Sequence, residues 1–220
     1  MSSLPPDPRN TYDGHDPVED TPRAKKHALV RSVKQLIELT AHLDVHELDD
    51  VSEIDALREE IDAVCDRMEP LPSLHAKGGL GGVGGDDGAL LERSGISGRS
   101  NPLAAPVQWV MHPDKGVGWA TYTPAYEGPR GHVHGGFVAA AFDDLMGTTQ
   151  TLSGIAGYTG TLTVKMLRPT PLNKRIDYEA AVDRVEGRKI YVRGTADCEG
   201  ARLAEAEIVF IAPKDGTRPR

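Results

Sequence analysis

The stretch HVHGGFVAAAFDDLMG, residues 132–147, decides the fold. Its loop-like opening gives way at His134 to an alanine-rich run with broad apolar faces, the pattern of a helix buried on most sides. An acid, Asp143, falls nine residues after His134, inside that helix and among Ala139, Ala140, Ala141, Phe142 and Leu145. Its neighbour Asp144 points about 100° further around the helix, toward solvent or a loop.

Strand-like segments flank the helix on both sides. VQWVMH and VGWATYT alternate before it. TGTLTVKMLRP, IDYEAAVDRVEG, RKIYVRGTADCEG and ARLAEAEIVFIAP follow it, separated by turns at Pro169–Asn173, Glu186–Gly187 and Glu199–Gly200. Two strands, one buried helix and four strands without intervening helices exclude an alternating parallel α/β sheet. They fit one antiparallel sheet wrapped around a long central helix, an α+β fold.

Further out, the organisation changes. Residues 1–22 are rich in Pro, Asp and Ser and read as a disordered tail. Over 23–70, Leu29, Val33, Leu36, Ile37 and Leu43, then Val51, Ile54, Leu57, Ile61, Val64 and Met68, recur at helical spacing. They predict an amphipathic helical hairpin with its seam against the main domain. Residues 71–101, containing GGLGGVGGDDG, read as a glycine-rich linker, residues 102–213 as the main domain and 214–220 as a tail. No strand precedes the glycine run and no GK[ST] follows it, so it makes a poor phosphate loop.

Composition narrows the function. The 220 residues carry a formal net charge of -8, which argues against a nucleic-acid partner. No basic-then-apolar leader opens the chain, and its longest apolar run is far too short for a membrane span, so a cytoplasmic setting is expected. Cys65 and Cys198 stand in no metal-type spacing, and neither a disulfide nor a metal site is expected.

The chemistry concentrates around residues 134–143. The first turn of a helix presents unpaired N–H groups and partial positive charge. Gly135 and Gly136, lacking side chains, let an oxygen approach those donors. A carbonyl held there is polarised, while Asp143 is suited to activate water or to attack as a nucleophile. Gly136 and Asp143 lie roughly 10 Å apart along the helix, too far to serve one carbonyl. Two antiparallel copies of the helix would bring Asp143 of one chain to Gly136 of the other, so the active unit is expected to be at least a dimer. Structural roles stay open for the same residues: His134 as a helix cap, the glycines as packing relief, Asp143 as a hydrogen-bonded acid.

These residues resemble the hotdog thioesterases, in particular the PaaI-like branch and the THEM-type acyl-CoA thioesterases. HVHGGFVAAAFDDLMG is similar to their HGG-helix segment, TGTLTVKMLRPTPL to their third strand, and VEGRKIYVRG to the start of a later one. Together these segments cover about residues 102–213. The resemblance implies a hotdog fold and hydrolysis of an acyl-CoA thioester, with CoA present only as part of the substrate and no further cofactor. It implies a dimer or a dimer of dimers. Asp143 would be general base or nucleophile, the amides of Gly135 and Gly136 the oxyanion hole, and His134 the residue that orders it. Thr159 would position water, with Thr161 the alternative nearby; Arg188 and Lys189 would meet the CoA phosphates. A hotdog dehydratase and a non-catalytic acyl-CoA or lipid-binding module are the competing functions.

Overall fold

The computed structural model describes residues 21–74 and 92–214. The tail of residues 1–20, the glycine run and residues 215–220 lie outside the described residues. Two helices come first, α1 (Pro22–Ala41) and α2 (Ser52–Met68). Strands β1 (Val107–Met111) and β2 (Gly116–Thr121) precede the central helix α3 (Gly135–Thr149). Strands β3 (Tyr158–Met166), β4 (Arg175–Glu186), β5 (Lys189–Cys198) and β6 (Ala201–Ile211) complete the chain.

All six strands form one antiparallel sheet in the order β1-β2-β4-β5-β6-β3. The turns follow from their residues. Glu199 and Gly200, at φ 51° and 81°, make the two-residue link between β5 and β6. Two positive φ values match the twist of the flanking strands, and glycine takes the second at no steric cost. Gly187, at φ 59°, opens the two-residue link between β4 and β5, where only this first position takes a positive φ.

Helix α3 lies on one face of the sheet. Val138, Ala141, Phe142, Leu145, Met146 and Thr149 are buried, an i, i+3, i+4, i+7 stripe. Facing it are Ile176, Tyr178, Ile190, Val192, Ile208 and Phe210, all at most 2% exposed. The helix sits so close that a Cβ on Gly194 of β5 would stand 3.0 Å from the Phe142 ring. Phe142 meets Tyr178 edge-on at 5.4 Å, and the Tyr178 and Tyr122 hydroxyls share a 3.0 Å hydrogen bond inside the core.

The N-terminal half departs from the expected hairpin packing. Thr21 caps α1, its Oγ1 accepting from the Ala24 N–H at 3.1 Å, and Pro22 opens the helix. The face of α1 that docks carries His27, Val30, Lys34 and Glu38. Lys34 Nζ donates to the Ala104 carbonyl at 2.8 Å, and Thr123 Oγ1 donates to Glu38 at 2.6 Å. Leu29, Leu36, Ile37 and Leu43 face outward instead, and α2 has no buried residue. Periodicity shows that a helix carries an apolar stripe; it does not show what covers the stripe.

The linker also ends earlier than residue 101. Glu92, Arg93, Ser97, Ser100 and Asn101 are buried, and residues 92–101 form a tight loop held to α1 by a contact between His27 and Glu92. No helix among the described residues is long and apolar enough to cross a membrane.

Burial pushes the Tyr122 hydroxyl up to about 12, and Tyr178 is raised as well, for the same reason. Between pH 10 and 12 the folded state therefore holds protons that the unfolded chain releases, and stability falls as pH rises. Urea unfolding at pH 9, 10 and 11 should show a midpoint that drops progressively. The Tyr122→Phe variant should lose part of that slope.

Candidate active site

Helix α3 begins where the sequence places it. His134 is the N-cap, with extended backbone (φ -61°, ψ 127°), and its Nδ1 accepts the Gly136 N–H at 3.0 Å. Its own N–H is held by the Tyr126 carbonyl at 2.9 Å. Tyr126 meets Phe137 edge-on at 4.9 Å, and the Phe137 ring stands 6.3 Å from that of His134. Gly128 lets the loop double back, since a Cβ there would stand 2.7 Å from His134 Cα. The loop before the helix is thus tied down by backbone bonds and edge-on ring contacts.

This cap divides the two glycines. The Gly136 N–H is taken by the His134 ring, whereas that of Gly135 has no partner among the described residues. Gly135 opens into a groove of about 330 Å³ bordered by His132, Val138, Met166, Arg168 and Pro169. Met166, at the end of β3, sits against it: a Cβ on Gly135 would be 3.5 Å from Met166 Cε.

Asp143 lies half-buried at the other end of this arrangement, and its Oδ1 accepts a hydrogen bond from Thr159 Oγ1 at 3.1 Å. A register shift at Gly160 sets this geometry. Thr159 pairs with Phe210 and Leu162 with Ile208, so both face the helix side of the sheet. Thr161 pairs with Val209 and points to the opposite face. The bulge thus separates two threonines that the sequence presents as alternatives.

Arg188 and Lys189 flank the link between β4 and β5. Arg188 Nη1 donates to the Ala212 carbonyl at 2.8 Å, and Lys189 is exposed. Lys189 pairs with Ile211, whose other neighbour is Tyr158, so this basic pair stands at the Thr159 end of β3. Within one chain, then, Asp143 and Thr159 meet at one end of β3, Lys189 stands level with that end two strands away and on the opposite face of the sheet, and Gly135 and Met166 lie at the other end. Gly135 and Asp143 remain about 12 Å apart along the helix. Strand β3 runs between them as an edge of the sheet, exposed over most of its length.

Sequence reasoning missed one cluster. Asp144 faces the loop of residues 92–101, where Ser97 Oγ donates to its Oδ2 at 2.5 Å and Ser94 Oγ reaches both carboxylate oxygens at 3.2–3.3 Å. Burial raises the Asp144 carboxyl above the usual carboxylate range, and the two serine hydroxyls oppose that rise. The available signal was a second acid on a buried helix, which needs polar partners; the serines themselves sit in a stretch with no periodicity.

Comparison with known proteins agrees with this architecture. No family model matches the chain. The mouse protein "Acyl-coenzyme A thioesterase THEM4" is 32% identical over 87 residues, 39% of this chain; the match spans 37% of that relative's length. A crystal structure described as a thioesterase superfamily protein superposes with a TM-score of 0.71 at 23% identity, covering 84% of this chain and 94% of the other. That coverage reaches beyond the sheet into the N-terminal segments. A protein from Streptococcus mutans, solved with acetyl CoA, superposes at 0.47 and 15% identity over 51% of this chain and 91% of its own. Six antiparallel strands in one sheet with a central helix on one face, together with the match at a TM-score of 0.71, show that the chain has the hotdog fold.

Proposed function

We propose that the protein hydrolyses acyl-CoA thioesters at sites completed by two copies of the chain. The observation that carries this reading is the placement of Asp143, bonded to Thr159 at 3.1 Å, and of the Gly135 N–H, which has no partner among the described residues, at opposite ends of one exposed edge strand. A nine-residue open edge invites pairing with another strand. Antiparallel pairing of β3 with β3 about a two-fold axis at Thr163 pairs Leu162 with Val164 of the second copy and, across the bulge at Gly160, sets Thr159 opposite Met166 of the second copy. Asp143 then faces the second copy's Gly135.

The chemistry follows from the groups assembled. Thr159 donates its proton to Asp143, which leaves its oxygen lone pairs to hold a water and the second carboxylate oxygen to deprotonate it. The hydroxide attacks the thioester carbonyl carbon. The oxyanion is held by the Gly135 N–H at the positive end of α3. The C–S bond then breaks, the CoA thiolate takes the proton from Asp143, and the carboxylic acid is released. His134 serves by occupying the Gly136 N–H and fixing the first turn, so the hole is built on Gly135. Arg188 and Lys189 supply cationic charge for the CoA phosphates at the Asp143 end. A dehydratase would need a histidine bonded to its acid; within the chain Asp143 is bonded to a threonine, and His134 spends its Nδ1 on the Gly136 N–H, which favours hydrolysis. Similarity to THEM4 over 87 residues supports acyl-CoA as the substrate class.

Thiol release from a panel of acyl-CoAs, followed with a thiol-reactive dye, tests the activity. Replacing Asp143 with Asn should lower kcat by about 10²–10⁴-fold while CoA binding persists; undiminished turnover would remove the mechanism. Thr159→Val should cost about 10-fold or more in kcat, because it deletes a bond to the base, whereas Thr161→Val should stay within about two-fold. A shared site also makes specific activity concentration-dependent. It should fall on dilution in step with the dimer fraction measured by sedimentation.

A further inference from the structure

We propose that Asp144, gripped by Ser94 and Ser97, is a positioning residue that sets the roll of α3 and thereby aims Asp143; this rests on the catalytic role of Asp143 proposed above. The two acids are adjacent on one helix, with side chains about 100° apart. Asp143 is held toward the edge strand by Thr159 at 3.1 Å. Asp144 is held toward the N-terminal segment by Ser97 at 2.5 Å and by Ser94 at 3.2–3.3 Å. Two grips on different flanks add directional restraints, at hydrogen-bond distance, to the rotation that the packed apolar stripe already limits.

The gripping loop is itself rigid. Ser94 Oγ accepts from the Ile96 and Ser97 N–H groups at 3.1 and 3.4 Å, so its hydroxyl proton is aimed outward at Asp144. The Gly98 N–H bonds the Ser94 carbonyl at 2.9 Å, and the Ser100 N–H bonds the Glu92 carbonyl at 2.9 Å. A Cβ at Gly98 would stand 2.5 Å from Ser94 backbone atoms, so the turn is as tight as glycine permits. Glu92 also accepts from Ser100 Oγ at 2.5 Å and contacts His27 of α1. The loop is therefore anchored to α1, which in turn holds Thr123 through Glu38, next to the loop that carries Tyr126 and His134. The N-terminal half is in this way part of what aligns both ends of α3.

The required precision is modest to lose. A carboxylate lies about 5–6 Å from its helix axis, so a roll of roughly 10° moves it by about 1 Å. A misplacement of that size costs up to about 10²-fold in rate. Ser97→Ala keeps the loop's backbone bonds and removes one grip.

Steady-state kinetics on the most active acyl-CoA separate aiming from plain folding. Ser97→Ala is expected to lower kcat by about 10-fold or more with KM within about two-fold, and Ser97→Thr, which restores a hydroxyl, to recover most of it. The double variant Ser97→Ala/Thr159→Val is expected to lose less than the product of the two single losses, because both act through one helix roll. An unchanged kcat in Ser97→Ala, or a loss that vanishes once corrected for the folded fraction, overturns the proposal. If the parent protein hydrolyses no acyl-CoA, the proposed function fails instead, and the roll is read by thermal unfolding. The melting shifts of Ser97→Ala and Thr159→Val should then be non-additive, although the two hydroxyls bond different carboxylates. Additive shifts overturn the positioning claim by themselves.

Discussion

The packing of one helix stripe against one sheet face governs the rest of the structure. Phe142, Leu145 and Met146 descend onto β2, β4 and β5, where Gly118 and Gly194 leave room for close approach. The Phe142–Tyr178 contact and the buried tyrosine pair mark the centre of that layer. Around them the core combines Trp109, Phe210 and Met146 with Val, Ile, Leu and Ala, and its stability depends on how these side chains fit. Once the stripe is buried, the remaining flanks of α3 are assigned: one toward β3, another toward the loop of residues 92–101.

That assignment explains why acids occur inside an apolar helix. An ionised carboxylate away from water needs donors. Asp143 finds one in Thr159, and Asp144 finds two in Ser94 and Ser97. The two environments differ in kind. Asp144 is enclosed by its own chain, and burial raises its carboxyl. Asp143 is half-buried and sits beside an edge strand whose hydrogen-bonding groups are open to a second copy. One acid is enclosed and the other stays accessible, a division set by which flank meets a finished surface.

The N-terminal half behaves as more than an appendage. Helix α1 reaches the main domain with its polar face, through Lys34, Glu38 and His27, and leaves its leucines outside. Such contacts specify position through geometry, since each polar partner must be met at hydrogen-bond distance.

The amino-acid sequence by itself determined the sheet-and-helix order, the turns and the stripe on α3, because alternation, helical period and turn chemistry are local properties. It also singled out His134, Gly135 and Asp143, since an acid in an apolar helix and glycines at a helix start are visible in the residues alone. Tertiary structure alone decided which threonine meets Asp143, because a bulge at Gly160 reverses the facing of every later residue on β3. It likewise decided that His134 occupies the Gly136 N–H, that Ser94 and Ser97 hold Asp144, and that the apolar stripes of α1 and α2 face outward. Each of these depends on contacts between residues far apart in the chain or on a ring's orientation at a cap. Such distances are fixed only when the whole chain has packed.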